Sequence, residues 1–346
     1  MRWAFFPAVV LSFLMTVFLT PFARRVAIRA GIVDQPDGHL KVHHIPIPYL
    51  GGLAMFLSFL VTIVTIGEPT REVLAIVIGG TLLVILGLLD DIGNLSPYLK
   101  FAGQILTVYV LIRLDIVVKF QFFPVWINYA ITLFWIVGLC NAMNLVDIMD
   151  GLAAGVGAIS AGVLCVITYL NGQTSHGILA AALLGACLGF LMFNHPPARI
   201  YMGDAGSQFL GVTLGILGLL GDYSHYNVLA ILNPLLIFFL PIFDTAYVML
   251  MRALAGQSIF RGSKDHLVVR LRLAGWPIPL IVSLMLTLHG LFAVMSIYNM
   301  YASPRFSIML YACVGMVTVS IGIWLARVPV RAGATGNRGH IGEGKI

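Results

Sequence analysis

Residues 73–100 read VLAIVIGGTLLVILGLLDDIGNLSPYLK. The first part, 73–89, carries no charge. Asp90 and Asp91 then stand side by side, Ser96-Pro97 opens the next segment, and Lys100 closes the polar interval. An uncharged run of this kind reads as a helix crossing hydrocarbon about 30 Å thick, with its acids at the rim. Similar windows recur along nearly the whole chain. With 73–89 they are 3–22, 49–66, 101–117, 126–143, 152–170, 178–194, 207–221, 229–250, 277–299 and 306–326. That predicts about eleven transmembrane helices, with ten as the alternative, because 73–89 and 207–221 are short and Gly-rich. The expected fold is an all-α polytopic membrane protein.

Composition supports this. Of 346 residues, 60% are hydrophobic and 10% charged, with a mean hydropathy of +0.98. A soluble domain runs nearer 45–50% apolar and about 25% charged. Four cysteines are too few for a secreted disulfide scaffold. Cys140, Cys165, Cys187 and Cys313 are scattered through apolar windows and read as buried thiols. The first window is followed by Arg24-Arg25 rather than a small-residue cleavage site, so it reads as a span and not a leader. Placing the N-terminus outside puts 15 of the 20 Lys and Arg residues on the inner side and 5 outside, so the C-terminus is expected in the cytoplasm. The net charge of +6 therefore argues topology and anionic lipid, not nucleic acid. Residues 1–326 form one expected catalytic domain, and 327–346 form a basic, Gly-rich, disordered cytoplasmic tail.

With this orientation most acids fall on one side. Asp34, Asp37, Asp90, Asp91, Asp147, Asp150, Asp204 and Asp265 lie at or near cytoplasmic ends, and Asp244 lies toward the inner half of its span. Glu68, Glu72 and Asp222 read as ordinary loop charges on the other side. A carboxylate inside apolar sequence costs about 2.5–3.5 kcal/mol at a helix centre, which makes it a functional candidate. Adjacent carboxylates such as Asp90 and Asp91 repel by about 4 kcal/mol at an effective dielectric near 20, so a proton or a cation belongs beside them. Capping of the next segment is the structural alternative. Lys100 is placed to offer an ammonium to a phosphate, or else simply anchors the membrane boundary.

Further along, Asn141, Asn144, Asp147 and Asp150 recur every three residues, a polar ridge on a helix. Hard oxygen ligands at this spacing suit Mg²⁺, with Mn²⁺ as the alternative; interhelical hydrogen bonding explains one Asn but hardly the series. Gly203-Asp204-Ala205-Gly206 sets an acid between residues that allow close backbone approach, where helix-start amides favour anions. Arg261, Lys264, His266, Arg270 and Arg272 crowd the loop 251–276, either a plain positive-inside loop or an anion-binding lid. His43-His44 lacks the spacing of a zinc site, and His289 reads as a packed polar residue. The residues together point to metal-assisted phosphoryl transfer at a membrane face.

Five stretches carry a family resemblance: Leu89-Asp90-Asp91 with Ser96-Pro97 and Lys100; Asn141 to Leu152; Met202-Gly203-Asp204-Ala205-Gly206-Ser207; Lys41 and His43 with Pro46, Pro48 and Gly51-Gly52; and Pro241-Ile242-Phe243-Asp244-Thr245. In order and position these resemble the polyprenyl-phosphate N-acetylhexosamine-1-phosphate transferases, and the match runs from about residue 31 to 276. The resemblance implies Mg²⁺-dependent transfer of a sugar 1-phosphate from a UDP-sugar to a polyprenyl phosphate such as undecaprenyl phosphate, with release of UMP. It implies that Asp204 and Asn144 bind the metal and that Asp90 and Asp91 form the catalytic acidic pair. Lys41, Lys100 and His266, with Arg270 beside it, would hold phosphates, while Asp147, Asp150 and Gly151 line the nucleotide side. Asp34, Asn141, Asp244 and Arg261 are further site members. An active site on the cytoplasmic face of the plasma (inner) membrane and a homodimer are also implied.

The chain departs from the family pattern in places. Ile148 stands where Asp-Gly-x-Asp-Gly has glycine, Val268 and Val269 interrupt a His-x-His-His-Arg pattern, and Tyr49-Leu50 differs from the Thr-Met of the muramoyl-pentapeptide branch. The last favours UDP-N-acetylglucosamine or a close epimer over UDP-N-acetylmuramoyl-pentapeptide. An ion-coupled transporter would hold its acids near the midplane between inverted halves, whereas these collect at one face. The Gly-x-Gly-Asp of intramembrane aspartyl proteases is absent, as is the arginine of the CDP-alcohol phosphotransferase motif.

Overall fold

The structure, a computed structural model, describes residues 2–34, 46–93, 95–257 and 266–328. Lys41, Arg261 and the tail beyond Val328 lie outside the described residues. The helices are α1 (Phe5–Ala30), α2 (Gly51–Ile66), α3 (Arg71–Gly93), α4 (Pro97–Arg113), α5 (Val125–Val146), α6 (Leu152–Leu170), α7 (Thr174–Asn194), α8 (Gly203–Leu220), α9 (Asn233–Ile237), α10 (Phe239–Leu254), α11 (Leu267–Leu273), α12 (Ile278–Tyr301) and α13 (Pro304–Ala326). Among the described residues the only sheet pairs β1 (Val33–Asp34) with β2 (Ile47–Pro48), antiparallel. The chain is an all-α, multi-pass membrane protein.

Each of the eleven predicted windows falls on helix. Among the described residues eight helices are long and apolar enough to cross a bilayer, and α9 with α10 makes a ninth if the bent pair is one span. The remaining windows form α2, of 16 residues, and α4, of 17. At 1.5 Å per residue these reach about 24–26 Å, short of a full hydrocarbon thickness.

The window 229–250 is predicted as one span, and in the structure it is not straight: the chain turns by 74° between α9 and α10. Pro241 is the cause, because it has no N–H to give the Ile237 carbonyl and its ring clashes there. The Ser160 hydroxyl of α6 donates to that carbonyl at 2.9 Å and lies 3.1 Å from Nε2 of the fully buried His289. His289, read as a packed polar residue, thus serves the break in a neighbouring helix.

The weakest window, 207–221, is the centre of the molecule. Of the apolar stretch of α8, 83% is buried, against 11% for α13. A helix enclosed by protein does not need to be strongly apolar, and one facing lipid does. Glycines let the neighbours close in: a Cβ at Gly211 would lie 2.4 Å from the Cα of Cys140 in α5, and one at Gly87 of α3 would lie 2.4 Å from the Cα of Ala205. At the periphery α1 and α7 meet in the same way, through Gly185 and Gly189 of α7. Small residues at this spacing are the usual means of close helix approach in lipid.

The chain alternates direction, so α1, α3, α5 and α7 end, and α2, α4, α6 and α8 begin, at one end of the bundle. At the opposite end Asn227, Asn233, Asn299, Ser307 and Tyr311 form a hydrogen-bonded cluster joining α9, α12 and α13.

A Cβ at Gly185 would lie 2.3 Å from the Val9 carbonyl, against rigid backbone. Gly185→Val is therefore expected to destabilise the protein by about 1–3 kcal/mol through overpacking. The check is thermal unfolding in detergent, and an unchanged Tm would remove this contact from the packing account.

Candidate active site

The site is built from helix ends. Asp90 and Asp91 close α3, Lys100 lies in the first turn of α4, Asn144 in the last turn of α5, and Asp204 in the first turn of α8. Lys100 Nζ lies 2.9 Å from Asp90 Oδ2 and also contacts Asp204 Oδ2. Asn144 Nδ2 donates to Asp204 Oδ1 at 2.7 Å and to Ser207 Oγ at 3.0 Å. The structure thus brings together Asp90, Lys100, Asn144 and Asp204 from four helices.

The paired acids face different partners. Asp91 accepts from the backbone N–H groups of Asp204, at 2.8 Å, and Ala205, at 3.2 Å. It satisfies amides at the start of α8 that have no partner within that helix. Gly203, at φ +73°, permits the approach, since a Cβ there would lie 2.6 Å from Asp91 Oδ2. Asp90 accepts from Leu95 N–H at 2.7 Å, which fastens the turn into α4, while its other oxygen meets Lys100. The capping alternative is realised at Asp91 alone, and there the capped helix is α8 rather than the next one; the N-cap of α4 is Ser96.

Asp147 follows α5 half-buried and has no side-chain partner among the described residues. Burial, and then the carboxylates of Asp204, Asp91 and Asp150, hold its pKa well above the usual range. Asp150 accepts from Ala198 N–H at 2.8 Å, and Gly151, at φ +76°, donates to Asn194 Oδ1 at 2.9 Å. Both fix the loop 195–202 that delivers Asp204. The exposed Ile148 lies between these positions.

Asn141 belongs to the bundle interior. It donates to Gln104 Oε1 at 2.8 Å, and Gln104 donates to Gln208 Oε1 at 3.0 Å, linking α5, α4 and α8. Interhelical bonding thus accounts for this member of the series. Asp244 accepts from Leu267 N–H at 2.9 Å and lies 2.7 Å from Nδ1 of the buried His266, which fixes that ring at the start of α11. Arg270 is buried, lies 5.7 Å from the Tyr247 ring centroid and donates to the Leu325 carbonyl at 3.2 Å, tying α11 to α13.

Two aromatic contributors, Tyr49 and Tyr201, were not named as site residues from sequence. Tyr49 and Tyr201 lie with ring centroids 6.0 Å apart, and burial together with a hydrogen bond to Asp34 pushes the Tyr49 phenol pKa up. Asp34 reaches the site region through this contact. Gly51 and Gly52 donate to the carbonyls of Tyr201 and Met202 at 3.0 and 2.9 Å. A Cβ at Gly52 would come within 2.1 Å of the Gly206 Cα, so the Gly-Gly pair is a docking surface for the start of α8.

The sequence model of glycosyl transferase family 4 matches residues 73–222, which run from α3 through the end of α8. A probable undecaprenyl-phosphate N-acetylglucosaminyl 1-phosphate transferase of Bacillus subtilis is 37% identical, over 78% of this chain and 77% of its own length. The chain belongs to glycosyl transferase family 4. Other family 4 relatives include a decaprenyl-phosphate N-acetylglucosaminephosphotransferase of Mycolicibacterium smegmatis, 33% identical over 75% of this chain and 73% of its own. A phospho-N-acetylmuramoyl-pentapeptide-transferase of Heliobacterium modesticaldum is also 33% identical, over 80% and 90%. The segment matched by the family 4 model contains Asp90, Asp91, Lys100, Asn144, Asp147 and Asp204, and leaves out Asp244, His266 and Arg270.

Two outcomes are expected. Asp91→Ala strips a cap from α8 and should cost about 0.5–2 kcal/mol of stability, read as a lowered Tm; an unchanged Tm would show that α8 does not depend on it. For Asp147 the sign is that of a raised acid: the folded state favours the protonated form, an advantage present below the unfolded pKa of about 3.9 and lost as pH rises through the higher folded value. Without divalent cation, Asp147→Asn should thus melt above the unsubstituted protein at pH 8, and the gap should close toward pH 4. Equal melting at both pH values would rule out the burial penalty.

Proposed function

We propose that the protein transfers N-acetylglucosamine 1-phosphate from UDP-N-acetylglucosamine to a polyprenyl phosphate, such as undecaprenyl phosphate, releasing UMP. The observation that carries the proposal is the meeting of Asp90, Lys100, Asn144 and Asp204 at one end of the helix bundle in a family 4 member. A phosphate oxygen of the lipid forms the new bond to phosphorus of the sugar 1-phosphate, and the pyrophosphate bond to UMP breaks. The site lies at the membrane rim, so one substrate arrives from water and the other from the bilayer.

The donor set suits Mg²⁺, or Mn²⁺ in its place. It consists of hard oxygens from Asp90, Asp204 and Asn144, with Asp147 nearby and without a partner. Among the described residues no three carboxylate, His or Cys side chains are already arranged around a metal position, and the two carboxylates of this set share Lys100. When bound, the ion neutralises the pyrophosphate and the departing phosphate. Lys100 supplies a movable ammonium to phosphate oxygens, Asp90 accepts a proton from the lipid phosphate, and Asp91 keeps the start of α8 in place. His266, fixed by Asp244, offers its free ring nitrogen to a phosphate. Asp147, Asp150 and Gly151 face the nucleotide, with Lys41 and Arg261 as further anion contacts.

Counting α2, α4 and the bent pair gives eleven spans, and the excess of Lys and Arg on one side favours the N-terminus outside, the C-terminus inside and the site on the cytoplasmic face of the plasma (inner) membrane. A homodimer is part of the same proposal, as it is for the family resemblance. Tyr49-Leu50 supports N-acetylglucosamine over a muramoyl-pentapeptide donor.

Purified protein given undecaprenyl phosphate, Mg²⁺ and a panel of UDP-sugars is expected to release UMP only when the lipid and UDP-N-acetylglucosamine are both present. Excess chelator should stop it. Asn144→Ala, which frees the Asp204 carboxylate from its holder, should lower the rate about 10–100-fold. Release without lipid, or undiminished release in chelator, would overturn the reaction or the metal in turn.

A further inference from the structure

Three aspartates at the site present six carboxylate oxygens, and each is engaged. Asp91 is held by the Asp204 and Ala205 amides, Asp90 by the Leu95 amide and Lys100, and Asp204 by Asn144 and Lys100. Two of these partners are mobile side chains and the others are backbone. Asn144 brings no charge. Lys100 is the cation that reaches the cluster among the described residues, and it occupies the wedge between the Asp90 and Asp204 carboxylates. Its side chain is 15% exposed, as is that of Asp90.

An ammonium and a divalent cation compete for such a wedge. Both are drawn by the same two carboxylates, and at a few ångströms the two cations repel each other strongly. The long, flexible lysine stem lets the ammonium leave without moving α4. A pyrophosphate supplies the anionic oxygens that can receive it. We infer that Lys100 is a resident counter-cation of the acid site: it holds Asp90 and Asp204 together when no substrate is bound, and it is exchanged for the divalent cation as its ammonium passes to the donor's phosphates. This rests on the metal-dependent reading above and adds to it an order of events. Metal binds weakly to the free protein and tightly once a nucleoside diphosphate sugar has drawn Lys100 away. A stray metal ion is thus kept out of a site that lacks its substrate.

The test is Mn²⁺ binding to the purified full chain in detergent, read from the electron paramagnetic resonance signal of free Mn²⁺. Without nucleotide, Lys100→Gln is expected to bind Mn²⁺ about tenfold more tightly than the unsubstituted protein, equivalent to about 1.4 kcal/mol. Adding UDP-N-acetylglucosamine should tighten binding to the unsubstituted protein more than to Lys100→Gln. Equal or weaker binding by Lys100→Gln overturns the exchange and leaves the metal reading intact. Absence of Mn²⁺ binding by both proteins, with or without the UDP-sugar, removes the metal reading itself. A second measurement needs no variant: acetylation of the Lys100 amine, followed by mass spectrometry of the unsubstituted protein, should accelerate when saturating Mn²⁺ is added without nucleotide, because the displaced ammonium then has no phosphate to receive it. Unchanged reactivity overturns the exchange.

Discussion

The carboxylate of Asp91 on the first amides of α8 is the contact from which the rest of the site follows. A helix that begins at a membrane rim presents N–H groups with no partner of their own, and α8 receives one from α3 rather than from its own leading residues. The carboxylate also meets the positive end of the α8 dipole. That sets the depth and rotation of α8 against α3, because Gly87 lets the two backbones touch and Gly203 admits the Asp91 carboxylate. Asp204 is then held at one height, opposite Asp90 and within reach of Asn144 and Lys100.

The second theme is charge that the protein does not fully balance. Asp90, Asp91, Asp147 and Asp204 face one ammonium and one helix start among the described residues. The arrangement is stable as a pairing of Lys100 with two carboxylates, yet Asp147 remains against its neighbours' field. Such an excess suits a site whose ligands carry the missing positive charge with them. It also explains why backbone amides from several loops are spent on fixing carboxylates in place.

Much of this was legible in the residues. The apolar windows located all the long helices, and the acids at their ends include those that the structure brings together, because burying charge is costly enough that only function or strong pairing retains it. What escaped was set by tertiary contact. The bend at Phe238 depends on Ser160 and His289 receiving what Pro241 frees, from helices far away in sequence. Asn141 and Asp150 share a ridge with Asn144 and Asp147, yet one bonds Gln104 and the other a loop amide; spacing alone does not separate them. Arg270 looked like part of a basic lid, and its guanidinium instead ties two helices together. Tyr49 and Tyr201 carried no periodic signal, since they meet through a two-residue sheet and a loop.

The alternation of helix ends bears on how the chain is made. Asp91 and the amides it caps are 113 and 114 residues apart, so as the polypeptide leaves the ribosome the acids of α3 enter the membrane well before α8 exists. Lys100, synthesised only nine residues after Asp91, arrives almost at once. Through the long interval in which α5, α6 and α7 are being inserted, it is the neighbouring cation that can shield the acid pair.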